Sequence, residues 1–231
     1  MDKQISHADA RRVTAHWPLI SGVGALGLAV LLGVLIATRN STVSLDDVVL
    51  ADFVNIRSPS FTLPALAMNF IGGGWFGVLV VPLGGALAFL IAKRRWAALY
   101  FIAASAASAG VVQLLKVTFG RARPTEILVT ADLGSFPSGH VANAATLAVV
   151  LIFLLQRRWV WIIGIVYTIL MMLSRTYLGA HWLSDTIGGA LIGVGVAVIM
   201  WAPFARKLSA EAEGLRHNRA RADQDLVRDE S

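Results

Sequence analysis

Six apolar runs, at 18–38, 75–92, 96–115, 139–156, 159–174 and 182–204, limit how this chain can fold. A helix rises about 1.5 Å per residue, so about 20 apolar residues cross a hydrocarbon core of about 30 Å. The fifth run is short by this measure and is expected to extend toward Leu178, with Arg175 facing protein or water. Hydrophobic residues make up 56% of the chain and charged ones 15%, with a mean hydropathy of +0.68. Ordinary soluble domains do not reach that balance. The first run follows Lys3, Arg11 and Arg12, as a signal peptide would. It is long enough to span, however, and no small-x-small cleavage pattern follows, so it reads as a retained helix. The expected fold is all-α, an integral membrane bundle of six transmembrane helices.

Tryptophan supports these boundaries independently, because its amphipathic ring prefers the edge of the hydrocarbon. Trp17, Trp75, Trp96, Trp159, Trp161, Trp182 and Trp201 all fall at or near the ends of the apolar runs. Orientation follows from the cations. With both termini cytoplasmic, that side carries Lys3, Arg11, Arg12, Lys93, Arg94, Arg95, Arg157, Arg158 and the six basic residues of the tail. The opposite side keeps Arg39, Arg57, Lys116, Arg121, Arg123 and Arg175, an asymmetry that obeys the positive-inside rule. The chain therefore divides into a cytoplasmic segment at 1–17, a transmembrane domain at 18–204 and a polar cytoplasmic tail at 205–231, read either as a fraying helix or as disordered chain.

A net charge of +6 and a pI near 10.3 could suggest nucleic acid, but the basic residues are scattered between apolar runs instead of forming a footprint. No nucleic-acid partner is expected. The chain has no cysteine, which excludes disulfides and thiolate metal ligands. Between the first two runs, 44–74 interleaves Asp46, Asp47 and Asp52 with apolar residues and then continues into a second apolar stretch at 63–71. This predicts a short amphipathic helix at the outer interface followed by a re-entrant or interfacial piece. Gly189 and Gly193 form a GxxxG pair, read as close packing within one bundle more readily than as a dimer contact. The oligomeric state is left open.

Three polar strings interrupt this apolar chain: KVTFGRARP at 116–124, PSGH at 137–140 and SRTYLGAHWLSD at 174–185. Six spans bring all three to one membrane face. Lys116, Arg123 and Arg175 can hold a phosphate dianion, arginine with a planar fork for two oxygens. Ser138 and Gly139 begin a helix, where free amides and the positive dipole end favour an anion. His181 and Asp185 lie four apart and share a helix face, so the carboxylate can bind one ring nitrogen while the other attacks phosphorus. His140 is placed to protonate the leaving oxygen and then to activate water. Ionisable groups this close to a bilayer are costly without a function. Metal-dependent sites gather carboxylates, and these strings supply mainly cations, so neither a metal nor another cofactor is expected.

The pattern KxxxxxxRP, PSGH, SRxxxxxHxxxD resembles that of the type 2 phosphatidic acid phosphatase superfamily, which includes bacterial lipid phosphatases and the vanadium haloperoxidases. Lys116, Arg123, Pro124, Pro137 to His140, Ser174, Arg175, His181 and Asp185 match its defining positions. The resemblance implies a metal-independent phosphatase with His181 as nucleophile and His140 as acid and base. Ser174 enters only through the resemblance, as a phosphate ligand or as a brace for its loop. Arg121 and Glu126 lie outside the pattern, either tuning substrate choice or facing solvent. The expected partners are the bilayer and a membrane lipid phosphate, with undecaprenyl pyrophosphate ahead of phosphatidylglycerol phosphate, phosphatidic acid and diacylglycerol pyrophosphate. The site is expected on the extracytoplasmic side of a cell inner membrane. A lipid-binding or transport protein using the same cationic pocket without turnover is the alternative, and a vanadate-dependent peroxidase is disfavoured because such enzymes are soluble.

Overall fold

The computed structural model describes residues 7–38, 44–130, 132 and 134–229, without the side chains of 7–16, 216, 218–223 and 225–229. Lys3 and Arg39, used in the orientation argument, lie outside these residues. Helix α1 spans His7–Ala37, α2 Ser44–Asn55 and α3 Pro59–Gly72. A π-helical turn at Phe76–Val80 leads into α4 at Val81–Ile91, followed by α5 at Arg95–Phe119, α6 at Gly139–Leu155, α7 at Arg158–Tyr177 and α8 at Leu183–Asp229. Regular structure among the described residues is entirely helical.

The expected spans appear as helices, although they are not equivalent. Four helical segments, Trp17–Ala37, Arg95–Phe119, Arg158–Tyr177 and Leu183–Leu215, are long and apolar enough to cross a bilayer. The run at 75–92 does not stand alone: α3 and the following π-α4 segment form a pair bent by 46°, and together they qualify as one more. Pro82 has no N–H for the carbonyl one turn back, which favours the local widening of this helix. The run at 139–156 forms a shorter apolar helix, Gly139–Leu155. The tail expected from residue 205 is helical, because α8 continues without a break to Asp229.

A belt of exposed apolar side chains, such as Leu28 and Leu31 on α1, Leu83 and Leu87 on α4, and Ile162 and Ile163 on α7, forms the bundle's exterior. Inside, α5, α6 and α8 pack through Ala97, Tyr100, Phe101, Leu147, Val150 and Ala197. The Tyr100 hydroxyl donates to the Ala197 carbonyl at 2.8 Å. Small residues set the spacing of α6 and α8: a Cβ on Gly189 would stand 2.4 Å from the Ser138 carbonyl oxygen, and one on Gly193 2.3 Å from that of Ala142. The GxxxG pair thus packs within the bundle.

Helix ends position the site. Gly120, at φ 54°, adopts the left-handed conformation that ends α5 just after Lys116 and Phe119. Gly179, at φ 65°, turns the chain from α7 toward α8, and a Cβ there would meet the Glu126 carbonyl oxygen at 2.5 Å. The end of α5, the start of α6, the end of α7 and the start of α8 therefore meet at one end of the bundle. Lys93–Arg95, Arg157, Arg158, Arg206 and Lys207 lie at the other end of these helices.

Candidate active site

A cavity of about 370 Å³ opens at this end, lined by Lys116, Asp132, Gly139, His140, Arg175 and His181 together with Gly72–Gly74 and Asn143. All three polar strings contribute, so the two histidines share one chamber. It also follows α5 inward past Gln113, Val112 and Ala109 to Ser105.

Three cations form the cradle. Lys116 is buried at the end of α5; its Nζ donates to both carboxylate oxygens of Asp132 at 3.1 Å and to the Gly134 carbonyl at 3.0 Å. Arg123 donates through Nη2 to Asp132 Oδ1 at 2.7 Å and through Nη1 to the Ala180 carbonyl. Arg175 is 2% exposed and donates through Nη1 to the side chain of Asn69. Its Nε is buried without a partner, as is the Oγ of Ser138. Buried polar atoms are rarely left unpaired, and such an orphan calls for an explanation, a ligand among them.

His181 is 2% exposed and sits between the cradle and the first turn of α8. Its Nδ1 donates to the Ser135 carbonyl at 2.7 Å, while Nε2 lies 3.3 Å from Arg123 Nη1. With Nδ1 as donor, Nε2 carries the lone pair. Burial pushes the imidazole down to about 4; the Asp185 carboxylate opposes that shift, and the Arg175 and Arg123 cations reinforce it. His181 is thus neutral at physiological pH.

Asp185 differs from expectation. Its Oδ2 lies 3.7 Å from His181 Nδ1, beyond a hydrogen bond, because both oxygens are already engaged. Arg121 Nη1 reaches Oδ1 at 2.5 Å, while the Ser135 hydroxyl and the Trp182 N–H at 2.9 Å hold Oδ2. The carbonyl of Ser135 therefore sets the His181 tautomer, and Asp185 supplies charge beside it.

His140 opens α6, and its Nε2 lies 3.1 Å from the carbonyl oxygen of Asn69. Asn143, one turn on, donates to the carbonyls of Gly72 at 3.2 Å and Gly77 at 2.9 Å, satisfying groups freed at the α3–α4 bend. Gly139 lines the cavity. Ser174 does not: its hydroxyl donates to the Ala65 carbonyl at 2.9 Å, bracing α7 against α3. Of the two open readings for Ser174, the structure provides the brace.

Sequence reasoning overlooked several contributors. Arg121 is almost fully buried and ion-paired, so it is not a solvated loop residue, whereas Glu126 is exposed. Asn69 holds both His140 and Arg175; as a lone polar residue in the apolar stretch 63–71 it carried a readable signal. Asp46 shares the buried face of α2 with Leu50, an i, i+4 spacing that likewise marked it out. Asp132 and Ser135 sit in irregular chain with no periodicity to reveal them.

An apolar-skinned helical bundle that closes a cationic, two-histidine chamber at one end defines a membrane protein built to hold a phosphate-like anion. Residues 97–208 match the PAP2 superfamily model. Phosphatidylglycerophosphatase B of Bacillus subtilis (strain 168) is 29% identical over 166 residues, covering 67% of this chain and 81% of that protein. The undecaprenyl-diphosphatase of Sulfolobus acidocaldarius is 42% identical over 65 residues, 28% of this chain and 31% of that one. The crystal structure of a transmembrane PAP2 type phosphatidylglycerolphosphate phosphatase from Bacillus subtilis superposes with a TM-score of 0.68 at 26% identity, covering 81% and 96% of the two chains.

Proposed function

We propose that this chain is an integral membrane phosphatase that hydrolyses the phosphate of a lipid through a phosphohistidine. The observation that carries this reading is the unpartnered buried Nε of Arg175 in the cavity that joins His140, His181 and Lys116, with the equally unpartnered Ser138 Oγ beside Gly139 of its lining. A phosphate oxygen would satisfy the guanidinium. Arg123, in contact with His181 Nε2, places the phosphorus beside the nucleophile.

In the first step the Nε2 lone pair forms the N–P bond while the bond from phosphorus to the lipid oxygen breaks. His140, entering the step as imidazolium, gives that oxygen its Nε2 proton and is left neutral, the substrate replacing the Asn69 carbonyl on the ring. Water then attacks the phosphohistidine; His140 takes its proton, and His181 leaves as neutral imidazole bound to Ser135. Lys116, Arg123, Arg175 and the α6 N-terminus at Ser138–Gly139 carry the charge on the transferring oxygens. Asp185 stabilises the cation that develops on His181.

The charge that would meet the phosphate comes from Lys116 and Arg175 in the cavity wall, and that cationic donor set supports hydrolysis without a metal. For the substrate we place a phosphate monoester such as phosphatidylglycerol phosphate ahead of undecaprenyl pyrophosphate. Asp132 already balances part of the cradle's charge, and the relative aligned over most of its length is a phosphatidylglycerophosphatase. The shorter match to an undecaprenyl-diphosphatase keeps the pyrophosphate as the second reading.

Six crossings, with α2 at the outer interface, both termini cytoplasmic and the site extracytoplasmic, fit the cations gathered at the end of the bundle away from the site. Residues 1–17 and 205–231 then lie in the cytoplasm of a cell inner membrane. A panel of lipid phosphates, assayed with purified wild type and His181→Ala in excess chelator, tests the reading. Phosphate release by wild type alone supports it. Equal lipid binding by both proteins with release by neither would point to a transport or binding protein.

A further inference from the structure

Beside the chamber, Arg121 joins two carboxylates from distant parts of the chain. Its Nη1 lies 2.5 Å from Asp185 Oδ1 and its Nη2 2.8 Å from Asp46 Oδ2. Asp46 is 1% exposed and Asp185 0%. Asp46 also accepts the Ser184 backbone N–H at 2.8 Å and the Ser184 hydroxyl at 2.6 Å, which ties α2 to the first turn of α8. The Trp182 ring packs against the guanidinium at 5.5 Å. Contacts therefore run unbroken from Asp46 through Arg121 and Asp185 to Ser135, whose carbonyl holds His181.

We propose that Arg121 and Asp46 are positioning residues: Arg121 fixes the Asp185 carboxylate beside His181, and Asp46, carried in by α2, fixes Arg121. Neither touches the chamber. The inference deepens the phosphohistidine reading and rests on it for its consequence in turnover. Buried ion pairs are poor stabilisers compared with apolar packing, but losing one partner leaves a costly bare charge. Two carboxylates on one guanidinium leave a single negative charge in excess near His181. That excess suits a ring that must turn cationic during phosphoryl transfer, and it is small enough to leave the resting ring neutral.

The arrangement makes a signed prediction that a mere packing contact does not. Removing the Arg121 cation makes the surroundings of His181 more negative and moves its protonation to higher pH. Removing the Asp46 charge moves it lower. The other charged or titratable groups around His181 are Lys116 on α5, Arg123 and Asp132 between α5 and α6, His140 on α6, Arg175 on α7 and Asp185 on α8; they stay the same in every variant.

The test uses the full chain in detergent micelles with ¹⁵N-labelled histidine, His181 being assigned through His181→Gln. The expected order of His181 titration midpoints is Arg121→Gln above wild type and Asp46→Asn below it, with Arg121→Lys near wild type. For turnover of phosphatidylglycerol phosphate, Arg121→Gln is expected to lose about tenfold or more in kcat with little change in KM, and Arg121→Lys to recover part of the loss. Midpoints that coincide, or that move in the same direction for both charge-removing variants, overturn the proposal. If Arg121→Gln does not fold, the Asp46→Asn midpoint and the Arg121→Lys turnover decide it. Opposite shifts in a wild type that releases no phosphate would sink the phosphatase reading and leave the positioning arrangement standing.

Discussion

Lys116 Nζ donates to both carboxylate oxygens of Asp132, each at 3.1 Å, so a protein carboxylate stands on a cation proposed to hold phosphate. Arg123 holds the same carboxylate at 2.7 Å. Burial pushes the Asp132 carboxyl up, but the Lys116 hydrogen bonds and the Lys116 and Arg123 charges outweigh it and hold the group below the usual carboxylate range. Asp132 is therefore ionised at neutral pH and competes with the incoming anion. Asp132→Asn should lower the inhibition constant of inorganic phosphate several-fold, read from product-inhibition kinetics. An unchanged constant would mean that the carboxylate does not compete.

Gly73 is needed for space and not for backbone freedom, since its φ of −149° is open to any residue. A Cβ there would fall 2.1 Å from His140 Nε2 and 2.2 Å from its Cε1. Gly73→Ala must displace either the ring or the α3–α4 bend, and phosphate release should fall by about tenfold or more. Gly74→Ala is the contrast: its Cβ meets nothing, but φ is 56°, so the effect should be strain in the bend, of about 1 kcal/mol, and not a clash with His140. Kinetics and thermal unfolding of the pair separate the two causes.

Arg175 offers a planar fork with one nitrogen on Asn69 and an unpartnered Nε. A lysine keeps the charge but has one nitrogen to place, so Arg175→Lys should lose two-point contact with phosphate. A fall of about 100-fold in kcat/KM is expected, corresponding to about 3 kcal/mol of charged hydrogen bonding. Asn69→Ala should cost less, because it frees the guanidinium without removing it.

His181 gives a pH signature in stability. Its folded value of about 4 lies below its ordinary 6.5, so between these the unfolded chain binds a proton that the folded chain refuses. The associated stability is complete above about pH 6.5 and is lost as pH falls toward 4. Thermal unfolding in detergent should therefore weaken more steeply over this window for wild type than for His181→Gln. Parallel curves would show that the ring is not buried as a neutral group.

Much of the architecture was visible in the chain itself. Apolar runs and tryptophans at their ends are local properties, and they located α1, α4, α5, α6, α7 and the first half of α8, while the mixed pattern of 44–74 pointed to a short helix where α2 lies. The fate of 75–92 was less visible, because its bend with α3 depends on Asn143 entering from α6. For the site, the motif spacing singled out Lys116, Arg175 and both histidines, which line one cavity because they sit at or beside helix ends whose order follows from threading alone.

What the amino-acid sequence determined was which residue types are available and at which end of the bundle they emerge, because hydropathy and spacing act over one or two turns of chain. Tertiary structure alone decided their partners. Asp46 meets Ser184 across 138 residues, Arg121 meets Asp185 across 64, and the carbonyl of Ser135, not Asp185, accepts the hydrogen bond of His181 Nδ1–H across 46. Such pairings depend on the close approach of helices and on competition among buried donors for a few acceptors, a contest settled only once the bundle has packed.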